Sequence, residues 1–226
     1  LGKFEELLVK IAGVQKTEDI CLNKKAVVVF CADNGVVAEG VTQTDSSVTA
    51  VVTENFARGI ASVNRMASVA GADVIPVDIG VLGEIKEPGV RNCRIANGTR
   101  NMRKEPAMSH EQVLEAIHTG ITLASELKDA GYDLLAVGEM GIGNTTTSSA
   151  VASVLLQAPV EIVTGRGAGI SNAGLEKKIE VIKEAIALHH PDPEDPLAVL
   201  EAVGGFDIAG MCGLMLGGAI YRIPVV

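Results

Sequence analysis

KAVVVFCA (Lys25–Ala32), closed by Asp33-Asn34-Gly35, is an unbroken apolar run that ends in a turn-forming triplet. A short run of this kind, with three valines in succession, reads as a strand buried on both faces, as in a parallel sheet. The same unit recurs along the chain. From Val48 to Ala70 the apolar residues Val52, Phe56, Ile60, Val63 and Ala67 fall at helical spacing, and Gly71 stops the helix. ADVIPVDI (Ala72–Ile79) is a second strand, Leu134–Val137 a third and Glu161–Thr164 a fourth. A glycine-rich loop follows each of the last two, with a helix beginning near Thr146 after the first of them. Repeated strand-loop-helix units predict an α/β fold: a doubly wound, mostly parallel sheet with helices on both faces, a three-layer Rossmann-like architecture. Ligands of such sheets bind at the carboxyl ends of the strands.

Between the strands lie more irregular stretches. Leu82–Met108 is rich in Gly, Pro, Asn and charge, and is too long for an ordinary connection, so it reads as a functional excursion. Ser109 with Gln112 three residues on is a capping-box pattern, opening a helix whose buried stripe is Val113, Ile117, Ile121, Ala124 and Leu127. After His189, HHPDPEDP breaks the chain before two glycine-rich helices. Ile208–Val226 is apolar but interrupted by glycines, Arg222 and Pro224, which makes it a buried helix and the start of a strand rather than a membrane span.

Composition narrows the function. A formal net charge of −9 argues against a nucleic-acid backbone partner, which needs a basic stripe. Cys21, Cys31, Cys93 and Cys212 are scattered, form no CxxC pair and have no histidine clustered with them, so neither zinc nor any other metal is expected. His110, His118, His189 and His190 show no ligand or triad spacing; His118 reads as surface and the pair at 189 and 190 as a helix end. No basic-then-apolar leader opens the chain, and free thiols suit a cytoplasmic setting.

Two loops stand out as binding elements. GEMGIGNTTT (Gly138–Thr147) joins a strand to a helix; its glycines allow close backbone approach, and the helix start offers unpaired N–H groups to an anion. The competing interpretation is a tight turn and nothing more. GRGAG (Gly165–Gly169) is the second loop. In the helix after it, Leu175, Ile179, Ile182 and Ile186 form the buried stripe, which puts Lys178 at its edge and Lys177 on the far side. Lys178 is thus a phosphate partner or a snorkelling lysine. Glu139 is a carboxylate inside an anion-binding loop, either with a catalytic role or paired with an arginine such as Arg166. Asp33 and Asp78 end their strands in the same way, and either can be a plain turn former.

Taken in order, these loops resemble the nicotinate-nucleotide–dimethylbenzimidazole phosphoribosyltransferase family. The resemblance is carried by ADNGVVAEGV (Ala32–Val41), DIGV (Asp78–Val81), GTRN (Gly98–Asn101), PAM (Pro106–Met108), GEMGIGNTT (Gly138–Thr146), GRGAG and GGFDIAG (Gly204–Gly210). It implies transfer of a 5-phosphoribosyl group from nicotinate mononucleotide to a benzimidazole-type base, with no cofactor, by a homodimer. It implies phosphate binding by Gly141, Gly143, Asn144, Gly167 and Lys178, contacts to the base from Val37, Ser46 and Met140, and a catalytic carboxylate at Glu139. Where the family has Pro-Gln beside the base, this chain has Asp45-Ser46, which either reads the base or caps the helix that begins near Val48. The family's general-base glutamate belongs to a further C-terminal segment, past Val226, and an N-terminal segment also falls outside the chain. The 226 residues are expected to form one nucleotide-binding core. A dinucleotide-dependent dehydrogenase would need GxGxxG after the first strand, where this chain has CADNG (Cys31–Gly35). A non-catalytic nucleotide-binding module is the other alternative.

Overall fold

The structure is a computed structural model and describes residues 2–226. Its elements in chain order are α1 (Lys3–Gln15), β1 (Lys25–Ala32), a 3-10 turn (Gly35–Glu39), α2 (Ser47–Ala57), α3 (Ser62–Ala70), β2 (Ala72–Gly80), β3 (Arg91–Asn92) and α4 (His110–Asp129). They continue with β4 (Leu134–Met140), α5 (Asn144–Leu155), α6 (Val160–Val163), α7 (Asn172–His189), α8 (Pro196–Val203) and α9 (Phe206–Tyr221).

The sheet has the order β3-β2-β1-β4 with every pairing parallel. The chain therefore runs outward from β1 to β2 and β3, then crosses back to place β4 on the other side of β1. The gap between the ends of β1 and β4 is the topological switch point, where doubly wound sheets open a crevice for ligands. Side chains of β1 alternate between two cores, as a strand buried on both faces must. Ala26, Val28, Phe30 and Ala32 join the larger core with Ile79, Leu135, Phe206 and Leu214. Val29 and Cys31 pack on the other face with Phe56 and Val81. Helix α9 lies directly on the larger core's face, since a Cβ at Gly210 would meet the Phe30 ring at 2.7 Å. The Ser109–Gln112 capping box opens α4 as its sequence predicts.

Three expectations are corrected. Glu161–Thr164 is not a strand: Val160–Val163 is one turn of helix after Pro159, with Ile162 exposed and Glu161 ion-paired to Lys183 of α7. The edge of β4 where such a strand would pair is already taken by the chain's last residues. There Leu135 N–H donates to Pro224 O (2.9 Å) and Val226 N–H donates to Leu135 O (2.9 Å). Val48–Ala70 is not one helix. It breaks at Gly59, which has φ of 75°, and Asn64 spans the break by donating to Phe56 O (2.9 Å) and accepting from Ala61 N–H (3.2 Å). Helix α5 starts at Asn144, two residues earlier than expected, because Gly143 takes φ of 92° and serves as its N-cap.

Candidate phosphate and carboxylate site

The exits of β1, β2 and β4 are tied by one buried aspartate. Asp33 accepts Thr49 Oγ1–H on Oδ1 (2.7 Å) and Leu82 N–H on Oδ2 (2.8 Å), and Thr49 Oγ1 in turn accepts Ile142 N–H (3.1 Å). Burial raises the Asp33 carboxyl above its ordinary range, and these donors pull it back down. Asp33 is therefore a clamp that sets the height of the Gly138–Gly143 loop. Close packing does the rest: a Cβ at Gly141 would lie 1.8 Å from Ala32 O. No other residue type fits there, because the obstacle is backbone.

Behind this loop lies a cavity of about 260 Å³ at the β1/β4 switch point. Its lining includes Met140, Gly141, Gly143, Asn144, Arg166 and Lys178, with the strap Val41–Thr44 facing them. Lys178 is 1% exposed and stands at the middle of the buried face of α7 with Val181, Ile182 and Ala185, not at its edge. Its Nζ donates to Thr145 Oγ1 (2.8 Å) and Gly165 O (3.2 Å), so it joins the start of α5 to the second glycine loop. Those are two neutral acceptors for a charged group with three N–H bonds, which leaves one N–H to give. Burial lowers the Lys178 pKa, and nothing anionic in the cavity lining offsets it. A cation at a helix start, desolvated and short of a counter-charge, is a site for an anion. Lys177 is exposed, with its Nζ beside Gly40.

The other candidates divide. Gly167, at φ of 55°, touches Thr145, since a Cβ there would lie 2.7 Å from Thr145 Oγ1. Val37 packs behind Gly143 and does not line the cavity. Ser46 helps lower the Asp33 carboxyl, and Asp45 is exposed, accepting Ser47 N–H (2.9 Å) at the start of α2. Glu139 makes no ion pair with Arg166. It accepts a hydrogen bond from Asn144 Nδ2, one layer behind the cavity wall, and burial raises its carboxyl. Arg166 instead donates to Ile170 O (2.9 Å) and to the Asn172 side chain.

Sequence reading misses three participants. Thr49 gives no signal, being one threonine in an ordinary helix. Asn34 reads only as part of a turn; it is 1% exposed, and donates weakly to Ile142 O (3.4 Å) beneath the loop. Asp207 stands within GGFDIAG without a role of its own. It is fully buried at the start of α9, and desolvation, then the Glu139 charge, push its carboxyl up to about 7. A second cavity, of about 540 Å³, opens at the exit of β2 within the Leu82–Met108 excursion. Its arginine is committed: Arg94 binds Asp78 (2.8 Å), Gly83 O (2.6 Å) and Asn97 Oδ1 (3.2 Å). Asp78 serves that ion pair and accepts Val81 N–H (2.9 Å). Arg94 thus has an anionic partner, whereas Lys178 and Arg166 of the smaller cavity have only neutral ones.

A family model described as "Phosphoribosyltransferase" matches residues 1–226. The nicotinate-nucleotide–dimethylbenzimidazole phosphoribosyltransferase of Ruminiclostridium cellulolyticum is 48% identical over all of this chain, which covers 64% of that protein. The protein of the same name from Acetivibrio thermocellus is 46% identical, again with 100% and 64% covered. The chain thus spans a little under two thirds of the length of these relatives. The crystal structure of CobT from Thermus thermophilus superposes with a TM-score of 0.93 at 38% identity, covering 99% of this chain and 67% of that one.

Proposed function

We propose a function from one premise: the chain belongs to the phosphoribosyltransferase family. In our reading it transfers the 5-phosphoribosyl group of nicotinate mononucleotide to a benzimidazole-type base. The products are an α-ribazole phosphate and nicotinate, for assembly of the nucleotide loop of cobalamin. The 226 residues serve as one nucleotide-binding core, cytoplasmic, working as a homodimer. Exposed Met215, Leu216 and Ile220 on the outer side of α9 supply apolar surface in keeping with a partner. The observation that carries the reading is Lys178, buried and aimed between two glycine loops at the switch point, as a 5′-phosphate requires.

The chemistry asks little more of the chain than placement. As the C1′–N bond breaks, its electron pair returns to the pyridinium nitrogen, and nicotinate leaves neutral at that atom, so no general acid is needed. The unprotonated benzimidazole nitrogen supplies the new bond from the opposite face, which inverts β to α. The N–H proton of the base must go to a carboxylate. Positive charge spreads over the sugar meanwhile, and Glu139, reaching the cavity wall through Asn144, is our candidate to stabilise it from behind that wall. Holding sugar and base in line provides most of the rate.

Calorimetry on the 226-residue chain tests this. Nicotinate mononucleotide should bind at least about 10-fold more tightly than the riboside lacking the phosphate, as one charged hydrogen bond demands. Equal affinities would remove the phosphate site. With 5,6-dimethylbenzimidazole added, turnover by these residues alone should stand about 10²–10⁴-fold below that of the Ruminiclostridium cellulolyticum relative, the usual effect of a proton acceptor outside the cavity. A matching rate means the base is already within these residues.

Asp45 gives a separate expectation. Its carboxylate is exposed and accepts Ser47 N–H at the start of α2, which supports a role in starting that helix over one in reading the base. Asp45→Ala should leave the ranking of 5,6-dimethylbenzimidazole against a hydroxyl-substituted benzimidazole unchanged in competitive binding. A reversed ranking places Asp45 in the base pocket.

A further inference from the structure

Glu139 and Asp207 bring two carboxylates to the same face of the sheet from different elements. Glu139 pairs with Phe30 across the β1–β4 ladder and shares its face of the sheet, the face on which α9 lies. Asp207 is in the first turn of α9 and is 0% exposed. Its Oδ1 accepts Ile208 N–H (3.0 Å), while Oδ2 is buried with no hydrogen-bond partner among the described residues. Neither carboxylate has a lysine or arginine partner among those residues. The groups around them are otherwise neutral. The Asn34 amide at the exit of β1 lowers the Asp207 carboxyl, while Asn144 and Thr147 of α5 hydrogen-bond Glu139 and Asn34 respectively. The Cys31 thiol of β1 lies on the other face of the sheet and is pushed up to about 12, chiefly by burial.

Two like charges in a desolvated site cannot both be kept without a cation. We propose that these carboxylates act as one acid pair, in which Asp207 is a positioning residue that stores the pair's single proton and leaves Glu139 charged toward the ligand. The surroundings decide which residue is protonated. Glu139 has the Asn144 amide and partial access to solvent. Asp207 has no access, and one oxygen without a donor, so the neutral form suits it. When positive charge comes to rest near Glu139, its repulsion of Asp207 is screened. The Asp207 O–H bond then breaks, the proton passes to water and its electron pair stays on the carboxylate. This step rests on reading Glu139 as the carboxylate that stabilises charge on the sugar; the pairing itself does not.

Infrared spectroscopy of the protonated carboxyl stretch, followed against pH on the 226-residue chain, tests the pair. The wild type should show a buried carboxyl that titrates near neutrality, and near-isosteric Asp207→Asn should lose it. In Glu139→Gln the midpoint should fall by about one pH unit or more, as expected of strongly interacting sites. A band that survives Asp207→Asn, or a midpoint that ignores Glu139→Gln, overturns the proposal. Calorimetry in buffers of different ionisation enthalpy adds the ligand. The 5′-phosphate sheds part of its own second proton on binding in either protein, so the readout is the difference: at about pH 6.5, just below the Asp207 midpoint, nicotinate mononucleotide should release a fraction of a proton more from the wild type than from Asp207→Asn, whereas equal release also overturns it. If the wild type does not bind the nucleotide, the phosphoribosyl reading fails, and the infrared midpoints still decide the pair.

Discussion

Lys178→Ala should lower the affinity for nicotinate mononucleotide about 100-fold, while Lys177→Ala changes it by no more than about 2-fold. Charged hydrogen bonds contribute roughly 1.5–3 kcal/mol, which is about 10–100-fold in binding. Lys178 belongs at the upper end because its ammonium is desolvated and already aimed by Thr145 and Gly165. Lys177 sits next to it in sequence but is exposed, where salt and water screen it. Truncating a fully buried side chain also leaves a hole, so Lys178→Met is the companion variant. Methionine fills most of the volume without the charge, and should keep the melting temperature nearer to wild type while losing the same affinity. If both lysine-to-alanine variants weaken binding equally, the residues act only through the overall field, and the cavity has no dedicated phosphate partner.

Much of this site was legible because helix geometry needs no partner to be read. The step of about 100° per residue placed Lys178 toward the core from sequence alone, and the structure moves it only from the edge of the buried face to its middle. The three long strands were legible for a similar reason, since runs such as Lys25–Ala32 suit no exposed position. The fourth failed because Val160–Val163 has strand composition but no available sheet edge. A short apolar run carries its propensity with it and leaves its partner unstated. Arg91–Asn92 shows the reverse: a two-residue strand with no apolar signal, made only because β2 offers an edge to a passing loop.

The less legible part is the one built from contacts distant in sequence. Asp33, Thr49, Leu82 and Ile142 meet in one hydrogen-bond knot, yet no spacing rule connects the first with the last. Asp207 lies 68 positions from Glu139, and a carboxylate beginning an apolar helix looks like an ordinary favourable first-turn acid. Only the fold shows that this helix start is fully buried, on the sheet face that also carries Glu139, and burial raises the Asp207 carboxyl. A motif match gave GGFDIAG its place in the chain and said nothing of what Asp207 touches.

Gly213→Ala should destabilise the chain by about 3 kcal/mol or more, a fall of roughly 6–12 °C in melting temperature for a domain of this size. The reason is backbone against backbone. A Cβ at Gly213 would lie 2.0 Å from Ile117 O of α4, and one at Gly120 of α4 would lie 2.2 Å from Gly210 O of α9. Neither obstacle can rotate aside, so the two helices must separate. On its other side α9 cannot retreat, because Gly210 already rests on the Phe30 and Ile79 side chains. The shift would therefore reach Asp207 and the Glu139 site at the head of the same helix. Helix propensity works in the opposite direction, since alanine is favoured over glycine by about 1 kcal/mol in a helix interior. Gly13→Ala isolates that term: Gly13 lies within α1, and a Cβ there meets nothing within 4 Å. It should be neutral or slightly stabilising by thermal unfolding. A Gly213→Ala protein that melts within about 2 °C of wild type, well under the shift expected for about 3 kcal/mol, would mean α4 and α9 are not in backbone contact.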